Sequence, residues 1–284
     1  MSVKAKPAYP FKPTWCTGCG NFGIWGAIKM GIGALGVPKE NVVMVYDVGC
    51  SGNMADFNDH YGFHALHGRA LPVAAGIKLG NQDLKVLVIM GDGGCYGEGG
   101  THFINLMRGN HDVTLLIHNN NRYSLTTGQM SPTTRKGTKT KSTPVGSIEE
   151  PFNPIAIAAS NNAGFIAREF AADIPKLSAR ITEAMNYDGF AMIDILQPCP
   201  VYNPAMSYEW YRENVISLES EGHQSNSREA AWKQAMRADK LATGLFYKED
   251  KPSYHAQVKN LQQSSLTKQP ISDIDISSLA VEFK

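Results

Sequence analysis

Cysteine is scarce in this chain, five in 284 residues. That scarcity excludes the small secreted scaffolds in which disulfides substitute for a hydrophobic core. No charged start followed by a short apolar run marks a signal peptide, so an intracellular, cytoplasmic location is expected. Charge of either sign is not in excess: 27 Lys and Arg against 26 Asp and Glu leave a net charge of +1. There is accordingly no electrostatic case for nucleic acid or an anionic membrane surface as partner. No apolar run is long enough to cross a bilayer, and there is no internal repeat. What is left is a length that suits one large core with a tail beyond it.

The apolar residues that are present fall in short runs separated by helical patterns. Strands are predicted at Val42 to Val48, Val86 to Met90, Val113 to His118 and Ala191 to Leu196, with a short one at Phe165. Helices are predicted from Asn21 through Met30, from about Thr101 to Arg108, and near Pro154 to Ser160 and Ile174 to Met185. Crossovers of that length imply parallel pairing. The fold class is therefore α/β, an open, mainly parallel sheet with helices on both faces. Residues 128–151, rich in Ser, Thr, Lys, Gly and Pro without periodicity, form a long loop of the kind kept for function or disorder. The composition changes after Pro204, which divides the chain into 1–203 and a C-terminal extension, 204–284. Helices are expected there at Ser207 to Val215 and Arg228 to Leu241, in an arm that packs on the domain or on a partner.

Two motifs end buried strands. Gly91-Asp92-Gly93 closes the run ending at Met90, and Asn119-Asn120 closes the run from Val113. An Asp and an Asn delivered to adjacent strand ends suit Mg²⁺ bound to a diphosphate, because this cation takes oxygen ligands and shares them with phosphates. Asp92 and Asn120 are the expected side-chain ligands, and Asn119 and Asn121 are expected to cap the loop. Glycines let the backbone approach such a ligand, and ligands of open parallel sheets sit beyond the carboxyl ends of the strands. Four cysteines add a second theme: Cys16-x-x-Cys19, then Cys50 after one strand and Cys199 after another. Four thiolates suit an iron-sulfur cluster or zinc. Cys95 lacks a partner at ligand spacing and is expected to be a small buried side chain.

These strings, with Asp47-Val48-Gly49-Cys50-Ser51-Gly52, His64-Ala65-Leu66-His67-Gly68-Arg69, Asn120-x-x-Tyr123 and Thr127-Gly128-Gln129-Met130-Ser131-Pro132-Thr133, resemble the β subunit of 2-oxoacid:ferredoxin oxidoreductases. The resemblance runs in order from about Trp15 to Pro200. It implies a diphosphate-domain fold binding thiamine diphosphate, Mg²⁺ and one 4Fe-4S cluster held by Cys16, Cys19, Cys50 and Cys199. Arg122 matches the family's third Mg²⁺ ligand, through its backbone carbonyl. The cofactor is expected against Gly49, Cys50, Ser51, His67, Gly91, Asp92, Gly93, Gly94, Asn120, Tyr123, Leu125 and Thr126. The chain departs from the family pattern at Ser124, where relatives usually have Gly, and at Asn119, where many have Asp.

The implied reaction is oxidative decarboxylation of a 2-oxoacid, 2-oxoglutarate or pyruvate, with coenzyme A as acyl acceptor. The chemistry also needs a carboxylate on the aminopyrimidine ring, which such enzymes take from a second domain. A partner bearing the pyrimidine domain, an α or fused γα subunit, is expected to supply it. The closely packed cysteine run of bacterial ferredoxins is absent, so electrons are expected to leave to a separate ferredoxin or an additional subunit. The rival reading is a non-oxidative thiamine diphosphate decarboxylase or synthase subunit whose four thiols hold structural zinc. His64, Arg69, His118 and Lys141 are weaker candidates for the substrate or diphosphate site.

Overall fold

A computed structural model describes residues 12–262, 264–270, 272 and 274–283; residues 1–11, which open the expected first domain, lie outside them. In chain order the elements are α1 (Asn21–Leu35), β1 (Val42–Tyr46), β2 (Tyr61–His64), α2 (Ala70–Gly80), β3 (Lys85–Gly91), α3 (Gly100–Gly109), β4 (Thr114–Asn119), β5 (Arg122–Tyr123), β6 (Gln129–Met130), α4 (Pro154–Ser160), β7 (Phe165–Phe170), α5 (Ile174–Met185), β8 (Ala191–Leu196), α6 (Tyr208–Asn214), β9 (Val215–Ser217), α7 (Arg228–Ala235), β10 (Leu241–Lys248) and α8 (Ser277–Val281). Eight strands form one sheet in the order β2-β1-β3-β4-β8-β7-β10-β9. All pairings are parallel except β10 against β7.

The central strands read as unbroken apolar runs because both faces are covered. Alternate residues of β1, β3 and β4 point to opposite layers. Val45, Val88 and Leu115 meet α2, α3, α4 and α7, whereas Met44, Leu87 and Leu116 meet α1 and α5. β1 is followed by β2 on one side of it and, after α2, by β3 on the other. The chain thus reverses direction across the sheet between β1 and β3, which opens a crevice at their carboxyl ends.

The extension after Pro204 is not simply a helical arm. The helix expected to run from Arg228 to Leu241 ends at Ala235, and the chain re-enters the sheet as β10, with β9 beside it. The segment Leu241–Lys248 (LATGLFYK) buries most of its side chains, and that burial favours a strand over continuation of the helix. The edge strand β2 is likewise absent from the sequence pattern: every residue in it is exposed, so no apolar run announces it.

Candidate active site

The crevice between β1 and β3 opens into a cavity of about 270 Å³. Its lining includes Gly49, Cys50 and Ser51 after β1, His67, Gly91 to Gly94 at the end of β3, and Asn120, Arg122, Tyr123, Leu125 and Thr126 after β4. Every residue expected against the cofactor is therefore in one place. His118 joins them, with Val48, Glu98, Ser124, Gln129 and Gln197, which no motif marks as cofactor contacts. The candidates His64, Arg69 and Lys141 do not line it. Arg69 Nη1 lies 3.0 Å from His102 Nε2, and Lys141 donates to Thr127 Oγ1 at 2.5 Å on the surface.

The Gly91-Asp92-Gly93 turn is fixed by its neighbours. A Cβ on Gly94 would stand 1.8 Å from Asp47 Oδ2, and one on Gly93 would stand 2.3 Å from the Tyr123 ring. Asp47 is fully buried, and its Oδ1 accepts from the backbone N–H of Gly68 at 2.8 Å. That contact holds the loop carrying His67 against the cavity. Asp92 is 1% exposed, and its Oδ2 accepts from Ser131 Oγ at 2.5 Å and Thr133 Oγ1 at 2.6 Å. Its Oδ1 is buried, with no partner among the described residues. Burial, only partly offset by those hydroxyls, pushes the carboxyl up to about 6. A buried carboxylate oxygen left unpaired in a cavity is a suitable ligand for a cation. Asn120 contributes Oδ1, which accepts from the Arg122 N–H at 3.0 Å. The flanking amides face elsewhere: Asn119 Nδ2 donates to Asp194 Oδ1 at 2.9 Å and Asn121 Nδ2 to the carbonyl of Thr133 at 2.9 Å.

His118 Nδ1 lies 2.7 Å from Asn21 Oδ1, so the proton sits on Nδ1. Burial lowers its pKa to about 3, which keeps the ring neutral, and Nε2 has no partner among the described residues.

A second cavity, about 120 Å³, is lined by Cys16, Cys19, Cys50 and Cys199 together. Three separate segments are tied to bring them there. Trp15 Nε1 donates to the carbonyl of Cys50 at 2.7 Å, while its ring packs edge-on against Phe22 and Phe57. The Gly20 N–H donates to the carbonyl of Pro198 at 3.0 Å, next to Cys199. Gln197 Nε2 reaches Cys19 Sγ at 3.5 Å. Burial pushes the Cys19 thiol up to about 11 and the Cys50 thiol up to about 12, with the other thiols adding to the rise. Thiols so disposed stay protonated near neutral pH, and a bound metal would supply the charge that lets them ionise there. Among the described residues, no three His, Cys, Asp or Glu side chains close on a single ion position. Cys95 lies apart and fully buried in the apolar core. The two cavities share a wall: Cys50, Asn120, Ser124, Leu125 and Gln197 line both.

Comparison with known proteins first gives the class. The thiamine pyrophosphate enzyme C-terminal TPP binding domain matches residues 47–195, and the C-terminal family of the pyruvate ferredoxin oxidoreductase β subunit matches 199–263. A β subunit of 2-oxoacid:ferredoxin oxidoreductase from Sulfolobus sp. is 41% identical, covering 86% of this chain and 85% of its own. One from Saccharolobus solfataricus is 40% identical over 92% of this chain and 90% of its own. The 2-oxoglutarate:ferredoxin oxidoreductase from Magnetococcus marinus, solved with 2-oxoglutarate, coenzyme A and succinyl-CoA bound, superposes with a TM-score of 0.90 at 31% identity, covering 100% of this chain and 98% of that one. The chain belongs to the β subunits of the 2-oxoacid:ferredoxin oxidoreductases.

Proposed function

We propose that this chain holds thiamine diphosphate and its Mg²⁺ in the larger cavity and a 4Fe-4S cluster in the smaller one. In this reading it serves the oxidative decarboxylation of a 2-oxoacid to acyl-CoA and CO₂, with ferredoxin taking the electron pair singly. The observation that carries it is the shared wall, because only a redox reaction gains from a thiol set placed directly against the cofactor cavity. When bound, the cofactor would supply a carbon that stabilises negative charge as CO₂ leaves, and the cluster would accept electrons from it.

The protein's own part is binding and orientation. Asp92 Oδ1, Asn120 Oδ1 and the carbonyl of Arg122 would hold Mg²⁺, and Cys16, Cys19, Cys50 and Cys199 would hold the cluster. Neutral His118, oriented by Asn21, presents Nε2 as an acceptor. Apart from Asp92, Glu98 is the carboxylate among the lining residues; the aminopyrimidine carboxylate is assigned to a partner subunit with the pyrimidine domain. Leu125, 48% exposed on the cavity wall, and Leu66, 76% exposed and next in sequence to the lining residue His67, give that partner apolar surface to cover. The ligands bound to the M. marinus oxidoreductase support 2-oxoglutarate as substrate and coenzyme A as acceptor.

The test is anaerobic assembly with the partner, metal analysis, and titration of the partner against this chain while substrate-dependent ferredoxin reduction is followed. Iron with partner-dependent reduction is expected. Zinc without iron, with CO₂ release but no ferredoxin reduction, would instead establish the non-oxidative decarboxylase reading.

A further inference from the structure

One side chain in the shared wall touches both sites. Ser124 is buried, 7% exposed. Its Oγ lies 3.4 Å from Asn120 Oδ1 and 3.4 Å from Cys199 Sγ. A hydroxyl carries a single hydrogen. A cysteine ligating a metal has no proton to give, so with Cys199 ionised both neighbours of this hydroxyl are acceptors, and its proton serves one at a time. Asn120 Oδ1 already accepts from the Arg122 N–H at 3.0 Å. A carbonyl oxygen has two lone pairs, so a cation on that oxygen takes up the remaining capacity.

We propose that the Ser124 hydroxyl couples the two sites: when a cation engages Asn120 Oδ1, the hydroxyl proton turns to Cys199 Sγ. This rests on the function proposed above. A hydrogen bond to a ligating sulfur stabilises the more negative, reduced state and raises the potential. Filling the cofactor site therefore makes the cluster a better electron acceptor at the moment a cofactor is present to be oxidised. Linkage requires the converse as well: reducing the cluster tightens Mg²⁺ and cofactor binding by the same factor. Gln197, whose amide donates to Cys19 Sγ, has no second acceptor among the described residues and provides a fixed bond.

The experiment uses the assembled enzyme under anaerobic conditions, with iron measured first. Its cluster potential is read by spin-resonance-monitored redox titration in three states: without additions, with Mg²⁺ alone, and with Mg²⁺ plus thiamine diphosphate. In the wild type the potential is expected to move to more positive values on cofactor binding. Ser124→Ala, with iron content unchanged, is expected to start no higher and to show a smaller shift, and Ser124→Thr to restore it. An equal cofactor-induced shift in wild type and Ser124→Ala overturns the coupling while leaving the proposed function standing; absence of iron overturns both. Should Ser124→Ala fail to assemble, the wild type in D₂O decides the matter. An exchangeable deuteron coupled to the reduced cluster must appear when Mg²⁺ and thiamine diphosphate are added, and an unchanged deuteron signal refutes the coupling.

Discussion

Replacing Asp92 by Asn separates what this carboxylate does for the fold from what it does for the cofactor. The side chain is 1% exposed and one of its oxygens has no partner among the described residues. Burial raises the folded carboxyl from 3.8 to about 6. A raised carboxyl gives stability that is complete below the unfolded pKa and lost as pH rises through the folded one. The cofactor-free protein thus loses stability between about pH 4 and pH 6. At 1.36 kcal/mol per unit, this one group costs about 3 kcal/mol at neutral pH. Asn removes that charge and keeps an oxygen for Ser131 and Thr133, while its amide nitrogen, facing the cavity without a partner, gives back about 1–3 kcal/mol. The cofactor-free variant is therefore expected to be at least as heat-stable as wild type at pH 7, and its decline between pH 4 and 6 to be shallower. Affinity for Mg²⁺ and thiamine diphosphate is expected to fall in the same variant. Losing the charge from a buried pair costs roughly 3–5 kcal/mol, on the order of 10² to 10⁴-fold in Kd. Calorimetric titration of the assembled enzyme measures the affinity, and scanning calorimetry the stability. A variant that is destabilised and binds the cofactor normally would refute the reasoning, since Asp92 would then be a structural residue.

Three further outcomes are expected. Cys199→Ala, like Ala at Cys16, Cys19 or Cys50, should lower iron content and abolish ferredoxin reduction, while Cys95→Ala, buried in the apolar core, leaves the iron intact; full iron in Cys199→Ala contradicts the assignment. Gly94→Ala should disrupt the turn and cofactor binding because its Cβ would stand 1.8 Å from Asp47 Oδ2, whereas Gly33→Ala, with nothing within 4 Å, should stabilise α1 by about 0.5–1 kcal/mol in chemical denaturation. Trp15→Phe removes the 2.7 Å hydrogen bond to the carbonyl of Cys50 and should hasten iron loss under chelator; an unchanged rate would show that the bond does not position Cys50.

The central strands were legible because burial on both faces writes them as continuous apolar runs, and the site was legible because its residues follow those runs directly. What failed lies where burial leaves no such mark. β2 is exposed throughout, and α2 (ALPVAAGIKLG) is so uniformly apolar that no helical period stands out. β10 contains Gly244 at φ +119° and lacks strict alternation, so its apolar residues read as more helix. Glu98 reaches the cavity because Gly93–Glu98 winds as a π-helical turn, and no local sequence signal in a glycine-rich stretch announces that. Ser124 stands out in the sequence only as a departure from a family pattern; its two contacts depend on where the 197–203 segment lies.

The position of that segment explains why the thiols meet the cofactor cavity at all. In the sheet β1, β3, β4 and β8 are successive neighbours, so their carboxyl ends present Cys50, Asp92, Asn120 and Cys199 in that order. Strand order alone would leave the two cysteines at opposite ends of this row. The chain after β8 folds back instead: the Gln197 N–H donates to the carbonyl of Asn119 at 3.0 Å, and Asn203 Nδ2 donates to the carbonyl of Asn120 at 3.1 Å. Arg122 closes the return by donating from Nη2 to Asn203 Oδ1 at 3.2 Å. Cys199 is thereby drawn over Asn120 toward Cys50, and the segment ahead of α1 supplies Cys16 and Cys19 to complete the pocket. The loop that carries the proposed oxygen ligands is the same loop that anchors Cys199, the proposed fourth thiol ligand. Disturbing Asn203 should therefore impair metal binding at both sites, although it touches neither cavity as a ligand.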